Sequence, residues 1–144
     1  MPAYSDTSFL AAVYSPEPGS IKAFSVMQRL RDPLPFTPFH RHELRNGIRL
    51  RVFRKEISVE QRKAAIYEMD SDLHENILVH TPIPWTDTFR QAEDLAAAHT
   101  ETLGVRSFDL LHVAIAIALG ATEFLTFDAR QATLAKAAGL KVKP

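Results

Sequence analysis

Short strand-like runs alternate with helical segments along the whole chain, and this alternation limits the possible fold more than any other feature. The strand candidates are residues 3–5, 34–37, 77–80, 123–126 and 140–143. Parallel strands need such intervening helices, because a crossover must return the chain to the same edge of the sheet. The sequence therefore predicts an α/β protein of three layers (α/β/α), in which helices cover a central, mostly parallel sheet of four to five short strands.

The helices between these strands are predicted from apolar spacing and from capping residues. Ser20, Ser58, Ser107 and Asp128 are each placed to cap a helix, because their side-chain oxygens can accept a backbone N–H of the first turn. The expected helical ranges are 9–14, 20 to the break at 32–33, 39–53, 58 to about 75, 86 or 87 to about 102, 108–119 and 128–138.

The length and composition suit one soluble domain spanning residues 1–144. A chain of 144 residues can bury a sizeable core, and the absence of cysteine excludes disulfides and thiolate metal sites. The longest apolar run, Val113 to Leu119, is far too short to cross a bilayer. The opening residues lack the pattern of a signal peptide, so a cytoplasmic location without membrane attachment is expected.

The charges are distributed unevenly although they sum to zero. Residues 1–63 carry 11 Lys/Arg against 6 Asp/Glu, and residues 64–144 carry 6 against 11. Much of the positive charge lies between Arg41 and Lys55. A basic segment of this kind can follow a phosphate backbone, and a solvated helix face is the alternative interpretation.

Three aspartates occupy the same kind of position, at the end of a strand or the start of a helix. Asp6 follows the first strand candidate, Asp128 follows the fourth, and Asp109 lies in the first turn after Ser107. Ligands of open α/β sheets bind at the carboxyl ends of the strands, so this position suits a functional site. For each aspartate alone, helix capping is the stronger explanation.

Glu43 differs from these aspartates because it lies inside a predicted helix, too far from either end to cap it. Its spacing from Phe39 and Leu50 predicts a carboxylate on an apolar face. A partly buried carboxylate needs a compensating partner, which could be a divalent cation or a nearby basic or amide side chain. Clustered carboxylates suit a hard cation such as Mg²⁺ or Mn²⁺, which can promote phosphodiester hydrolysis.

These residues resemble the ordered motifs of PIN domains, above all those of VapC-like toxins. Ser5–Leu10 (SDTSFL) resembles the opening strand and turn, and His42–Gly47 (HELRNG) resembles the central Glu-Leu-x-x-Gly motif. Ser107–Ala114 (SFDLLHVA) resembles the next motif, followed by the LTFD element at 125–128 and AGL at 138–140. The resemblance covers nearly the whole chain and is most specific over residues 106–142.

The resemblance implies a metal-dependent endoribonuclease. Asp6, Glu43, Asp109 and Asp128 would coordinate one or two divalent cations, Mg²⁺ or Mn²⁺, and Ser8 and Thr126 would support them. It further implies an RNA substrate, a cognate antitoxin protein and a homodimer. Three arginines are placed to contact the phosphates of that RNA: Arg41, Arg45 and Arg106.

Two other functional classes remain open on the sequence. A non-catalytic PIN-like module could bind RNA or protein without turnover. A signalling receiver domain would place Asp6 and Thr126 at strand ends, although its expected phosphoacceptor position is occupied here by His80-Thr81-Pro82. His112 and Trp85 are interpreted as a satisfied core histidine and as a packing or interface residue, in preference to a metal ligand and a base reader.

Overall fold

Five short strands form two parallel, hydrogen-bonded groups in the computed structural model, which describes residues 2–144. One group contains β1 (Ala3–Ser5), β4 (Glu123–Leu125) and β5 (Lys141–Lys143), with β4 in the middle. The other pairs β2 (Leu34–Phe36) with β3 (Leu78–His80). Every pairing is parallel. The predicted α/β class with a parallel sheet of short strands is therefore confirmed.

The chain divides into two compact units. Unit 1 contains the described residues up to Asp6 together with Pro82–Pro144, and unit 2 is Thr7–Thr81. The three-stranded sheet thus belongs to unit 1, and the β2–β3 pair belongs to unit 2. Residue 1, with which the expected single domain begins, lies outside the described residues.

Helices connect the strands in both units. Unit 2 contains α1 (Thr7–Tyr14), α2 (Ser20–Arg29), α3 (Pro38–Phe53) and α4 (Val59–His74). Unit 1 contains α5 (Trp85–Leu95), a π-helical segment (Ala96–Thr100), α6 (Glu101–Leu103), α7 (Ser107–Ala118) and α8 (Ala129–Ala137).

The core of unit 1 is formed by the middle strand and the apolar helix. Phe124 and Leu125 of β4 are fully buried, as are all four residues 113–116 of α7. α7 packs against α5 and α8. The apolar run of the sequence is therefore a core helix, since it is buried on nearly every side.

Two predicted helix caps are confirmed. Ser58 accepts the backbone N–H of Gln61, whose side chain accepts the Ser58 N–H in return, a reciprocal capping box. Asp128 accepts the N–H groups of Arg130 and Gln131 at the start of α8. Both caps satisfy donors that the helix itself leaves without partners.

Two other predicted caps are wrong by one residue. Gly19 and Arg106 occupy the cap positions of α2 and α7, and neither caps through its side chain. Ser20 instead accepts the Glu17 N–H, which closes the turn before the helix. A hydroxyl can bond to backbone in a turn as well as at a cap, so residue type alone does not fix the boundary.

The structure also corrects two elements. The strand at 77–80 was expected to be buried, but only Leu78 is, while Val79 and His80 are exposed. β3 pairs with a single strand, β2, so it is an edge strand of this pair. The long helix predicted up to about residue 102 is interrupted by the π-helical segment at Ala96–Thr100. A π turn shifts the helical phase without changing residue types, and periodicity does not reveal it.

A buried tyrosine connects two helices of unit 2. The Tyr14 hydroxyl at the end of α1 donates to the Asp72 carboxylate of α4 at 2.5 Å. Burial, followed by the hydrogen bond to Asp72, raises the pKa of Tyr14 well above its ordinary value of 10.0. The folded chain therefore holds this proton more tightly than the unfolded chain does.

Replacing Tyr14 with Phe should reduce the loss of stability above pH 10. The contribution of Tyr14 is fully present below the unfolded pKa near 10 and is lost as the pH rises beyond it. The stability of the wild type should fall more steeply than that of Tyr14→Phe, by up to about 1.4 kcal/mol per pH unit. Urea unfolding across this range measures the difference. Tyr67→Phe, at a 76% exposed position, should retain the wild-type slope, and equal slopes for Tyr14→Phe and wild type would contradict the assignment.

Candidate functional site

The carboxyl ends of β1 and β4 bring two predicted site residues of unit 1 together. Ser5 and Leu125 lie opposite each other in the ladder. The Asp6 N–H donates to the Leu125 carbonyl at 3.0 Å, which continues the pairing by one residue. Because the strands are parallel, Asp6 and Thr126 leave the sheet at the same edge, where ligands of α/β proteins bind.

The Thr126 hydroxyl connects the two aspartates at this edge. Its Oγ1 donates to Asp6 Oδ2 at 2.5 Å and accepts the backbone N–H of Asp128 at 2.9 Å. Asp6 is 1% exposed and Thr126 is 5% exposed. A charge-assisted bond of this length in a buried setting fixes the orientation of the carboxylate.

Asp128 has a structural role of its own. Its Oδ1 accepts from Arg130 N at 2.8 Å and from Gln131 N at 3.3 Å. The carboxylate therefore caps α8 and lies at the positive end of the helix dipole. A carboxylate has four acceptor positions on two oxygens, so the cap leaves capacity for a further ligand.

Asp109 lies in the first turn of α7 and is 8% exposed. Arg106 Nε approaches its Oδ2 at 3.5 Å, while the Arg106 side chain is 67% exposed. An ion pair of this length with one solvated partner is weak. Arg106, predicted to contact RNA, therefore lies beside an acid of the predicted site and can move toward another anion at little cost.

A second buried hydrogen bond holds α7 against β1. Tyr4 Oη lies 2.8 Å from His112 Nδ1, and both side chains are buried. The Tyr4 ring also stacks on Phe124 of β4, with centroids 5.8 Å apart. His112 is the hydrogen-bonded core residue that the sequence indicated. Tyr4 was missed, and its position on β1, two residues before Asp6, is the signal that could have identified it.

Glu43 belongs to unit 2, where its partner is a threonine. Thr7 Oγ1 donates to Glu43 Oε1 at 2.6 Å. Sequence reasoning assigned support of the site to Ser8, which lies half-buried on α1, and missed the adjacent Thr7. Both are hydroxyl residues in the first turn of α1, so residue type alone does not single out Thr7.

The apolar face expected around Glu43 is different in the structure. Leu50 is 38% exposed, and the buried positions of α3 are His40, Leu44 and Ile48. These three residues form a buried stripe along α3, and Glu43 itself is half-buried next to it. His40 belongs to the stripe because its ring Nδ1 accepts the Thr37 N–H at 3.0 Å, which satisfies a polar ring in the core.

The other two predicted RNA contacts, Arg41 and Arg45, lie on α3. Arg41 is exposed, and Arg45 forms an ion pair with Asp70 of α4 at 3.3 Å. Both guanidinium groups belong to a polar surface of unit 2. Within unit 2, no ion pair joins either arginine to Glu43, the acid of the predicted metal set that this unit contains.

The donors of the site are compatible with a hard divalent cation. Asp6 and Asp128 offer only oxygen ligands, which Mg²⁺ and Mn²⁺ prefer, and a cation would compensate the buried charge of Asp6. Within each unit, the described residues include no group of three or more Asp, Glu or His side chains already arranged to hold a metal ion. Among the described residues, no helix is both long and apolar enough to cross a membrane.

Comparison with known families identifies the chain. The model of the PIN domain family matches residues 3–137. The chain belongs to the PIN domain family. The resemblance inferred from the sequence motifs is therefore confirmed, and the receiver-domain alternative is excluded because the match spans nearly the whole chain. A comparison with curated proteins finds no match.

Solved structures of similar fold include toxin–antitoxin proteins. VapBC2 of Rickettsia felis, bound to a promoter DNA fragment, has a TM-score of 0.68 at 16% identity, covering 99% of this chain and 98% of that one. VapC20 of Mycobacterium tuberculosis, described as a sarcin–ricin loop cleaving toxin, has 0.68 at 19%, covering 99% of both. FitAcB of Neisseria gonorrhoeae has 0.62 at 16%, covering 99% and 96%. At these identities the likeness establishes the fold.

Replacing Thr126 with Val should destabilise this PIN domain, whereas Thr126→Ser should not. Valine has nearly the same shape but removes a donor from Asp6 and an acceptor from the Asp128 N–H, both in a buried setting. The expected loss is about 1–3 kcal/mol of unfolding free energy. Urea unfolding at neutral pH measures it. If the valine and serine variants were equally stable, the hydroxyl would not be the connecting group.

Proposed function

We propose that this PIN domain is a metal-dependent endoribonuclease and the toxin of a toxin–antitoxin pair. The single observation that supports this most strongly is the Asp6–Thr126–Asp128 connection at the carboxyl edge of β1 and β4. It presents two acids with different surroundings at the edge where α/β proteins bind ligands. Two of the similar structures are named as VapBC2 and as VapC20, a sarcin–ricin loop cleaving toxin, which supports the toxin assignment.

The residues have distinct roles in this proposal. Asp6 and Asp128 hold a divalent cation, Mg²⁺ or Mn²⁺, and the family resemblance adds Asp109 and Glu43 as ligands. A bound cation supplies a Lewis acid for the phosphodiester and lowers the pKa of water. Thr126 orients Asp6, and Thr7 orients Glu43 in unit 2. Arg106, mostly solvated, is free to exchange its contact with Asp109 for a phosphate.

The alternative is a PIN-like module that binds RNA or protein without cleavage. It is supported by the engagement of Asp128 in a helix cap and of Asp109 with Arg106, because both acids then have structural explanations. The two proposals differ in metal binding. A nuclease requires it, whereas a binding module does not.

The deciding experiment is cleavage of total cellular RNA by the purified protein in Mg²⁺ or Mn²⁺. Asp6→Asn should lower the rate by more than about 100-fold, because a ligand matters at least as much as the residues that orient ligands. EDTA should abolish cleavage. Asp94→Asn, at an exposed position of α5, is the matched control and should retain the wild-type rate.

Direct measurement of Mn²⁺ binding complements the activity assay. Calorimetric titration should show binding by the wild type and by Asp94→Asn, and much weaker binding by Asp6→Asn. A folded protein that neither binds Mn²⁺ nor cleaves RNA would overturn the nuclease and favour the binding module.

The partner we propose is an antitoxin that docks through an amphipathic, cationic segment. A groove of about 560 Å³ in unit 2 is lined in part by the apolar side chains of Phe24 and Met27 on α2 and of Leu30 directly after it. Acidic side chains, among them Glu68 and Asp32, outnumber the one basic side chain, Arg31, that lines the same groove. Apolar anchors with complementary positive charge would fit this surface better than an acidic segment would.

Replacing one acidic side chain of this groove with a basic one should change which peptide the groove binds more tightly. Two amphipathic helical peptides with the same leucine face, one lysine-rich and one glutamate-rich, serve as probes. Wild type should bind the lysine-rich peptide more tightly, and Glu68→Lys should weaken that binding about three- to tenfold. Glu60→Lys, exposed on the same helix outside the groove, is the control. If the wild type bound both peptides equally tightly, the acidic side chains of the groove would not select a cationic partner.

The homodimer remains a proposal drawn from the family resemblance. In unit 1, Trp85 stacks on Phe89 with ring centroids 5.4 Å apart, and the two side chains are 47% and 57% exposed. Exposed aromatic pairs are typical of protein interfaces, and this agrees with the interpretation of Trp85 as an interface residue.

A further inference from the structure

Three arginines form a regular row on one face of α3. Arg41, Arg45 and Arg49 follow each other at intervals of four residues, and all three line one shallow groove of about 460 Å³. Side chains four residues apart on a helix lie on the same face. The remaining lining residues are Pro38, His42 and Asn46. We call the row of Arg41, Arg45 and Arg49 the arginine strip.

The spacing of the strip suits a chain of phosphates. Residues four apart are separated by about 6 Å along a helix axis, and successive phosphates of one nucleic-acid strand are separated by a similar distance. Each guanidinium presents a planar fork of donors that matches phosphate oxygens. A strand running along α3 could therefore engage one phosphate per arginine without distorting either partner.

The chemistry of the groove favours a polyanion over a protein or a lipid surface. No acidic side chain lines it, and Pro38 is its one apolar side chain. Protein interfaces concentrate their binding energy in buried aromatic and apolar anchors, and a membrane surface needs an apolar face to insert. The groove has neither a cluster of apolar anchors nor an apolar face, whereas its three arginines are donors for phosphate.

One arginine of the strip has a competing acid. Arg45 pairs with Asp70, whose side chain is 52% exposed, at 3.3 Å. Exposed ion pairs contribute about 0–1 kcal/mol, so a phosphate can displace Asp70 at little cost. Arg41 and Arg49 are exposed. The positive charge of the strip is therefore accessible to a ligand.

The strip is separate from the acid that α3 contributes to the proposed site. Glu43 lies two residues from both Arg41 and Arg45, and residues at that spacing do not face each other on a helix. Glu43 is half-buried and bonded to Thr7, whereas Arg41 is solvent-exposed. The strip therefore lies on a different face of α3 from Glu43. It is suited to binding the RNA strand away from the phosphodiester bond that is cleaved.

We propose that Arg41, Arg45 and Arg49 bind consecutive phosphates of the RNA strand outside the cleaved bond. This rests on the proposed nuclease function for the choice of RNA as the polyanion, and extends it by a binding surface with its own residues. It adds Arg49 to the two α3 arginines indicated by the sequence. Arg106, in the other unit, has no part in the strip.

The test is binding of a fluorescent single-stranded RNA in EDTA, where metal-dependent cleavage cannot occur. The triple variant Arg41→Gln, Arg45→Gln, Arg49→Gln should bind at least about tenfold more weakly. Its slope of log K against log salt should be shallower by about 2, since each phosphate contact on a single strand contributes about 0.7. Replacing the same arginines with lysine should restore much of the affinity, which separates charge from misfolding.

A control triple, Arg54→Gln, Lys63→Gln and Arg90→Gln, removes the same charge at exposed positions outside the groove. It should leave the affinity within about threefold of wild type, because distant exposed charges are screened by salt. Equal losses in both triples would reduce the strip to a general charge effect and overturn the proposal. So would unchanged RNA binding by the strip variant, with losses only for duplex DNA or an acidic peptide.

This outcome is independent of the cleavage assay. A protein that cleaves RNA but binds it equally well without the strip retains the nuclease proposal and loses this one. A protein that binds RNA through the strip but neither cleaves it nor binds Mn²⁺ loses the nuclease proposal and keeps the strip.

Discussion

The hydrogen bond from Thr126 to Asp6 depends on the parallel register of β1 and β4, and the proposed chemistry depends on that bond. Ser5 pairs with Leu125, so the residues that follow them emerge side by side at one edge of the sheet. A slip of one residue would turn either side chain to the opposite face. The apolar residues that fix the register, Tyr4 opposite Phe124, therefore also fix the geometry of the acids.

Polar pairs hold the helices that carry two further residues of the proposed site. Tyr4 with His112 secures α7, which bears Asp109, and Thr7 with Glu43 secures α3 within unit 2. Such pairs contribute little net stability compared with apolar packing, but leaving one partner unsatisfied is costly. They therefore specify orientation more than they strengthen the fold, and orientation is what a set of metal ligands requires.

The balance of charge explains how an acidic site could admit a polyanion. The net charge is zero, yet the basic residues are concentrated in the first half of the chain and the acids in the second. The arginine strip on α3 places three cations in one row at phosphate spacing. The arginines of the strip would thus attract the RNA backbone, while the acids of the proposed site would bind the metal.

The sequence by itself determined the α/β class, the family, the strand end that Asp6 follows, and the caps at Ser58 and Asp128, because these follow from local patterns. Only the tertiary structure decided the rest. Partners distant in sequence, such as Tyr4 with His112 and Thr7 with Glu43, are invisible to periodicity. The exposure of Val79 and Leu50 depended on which neighbours cover each face. Side-chain direction and long-range packing are set by the whole fold, and no local pattern encodes them.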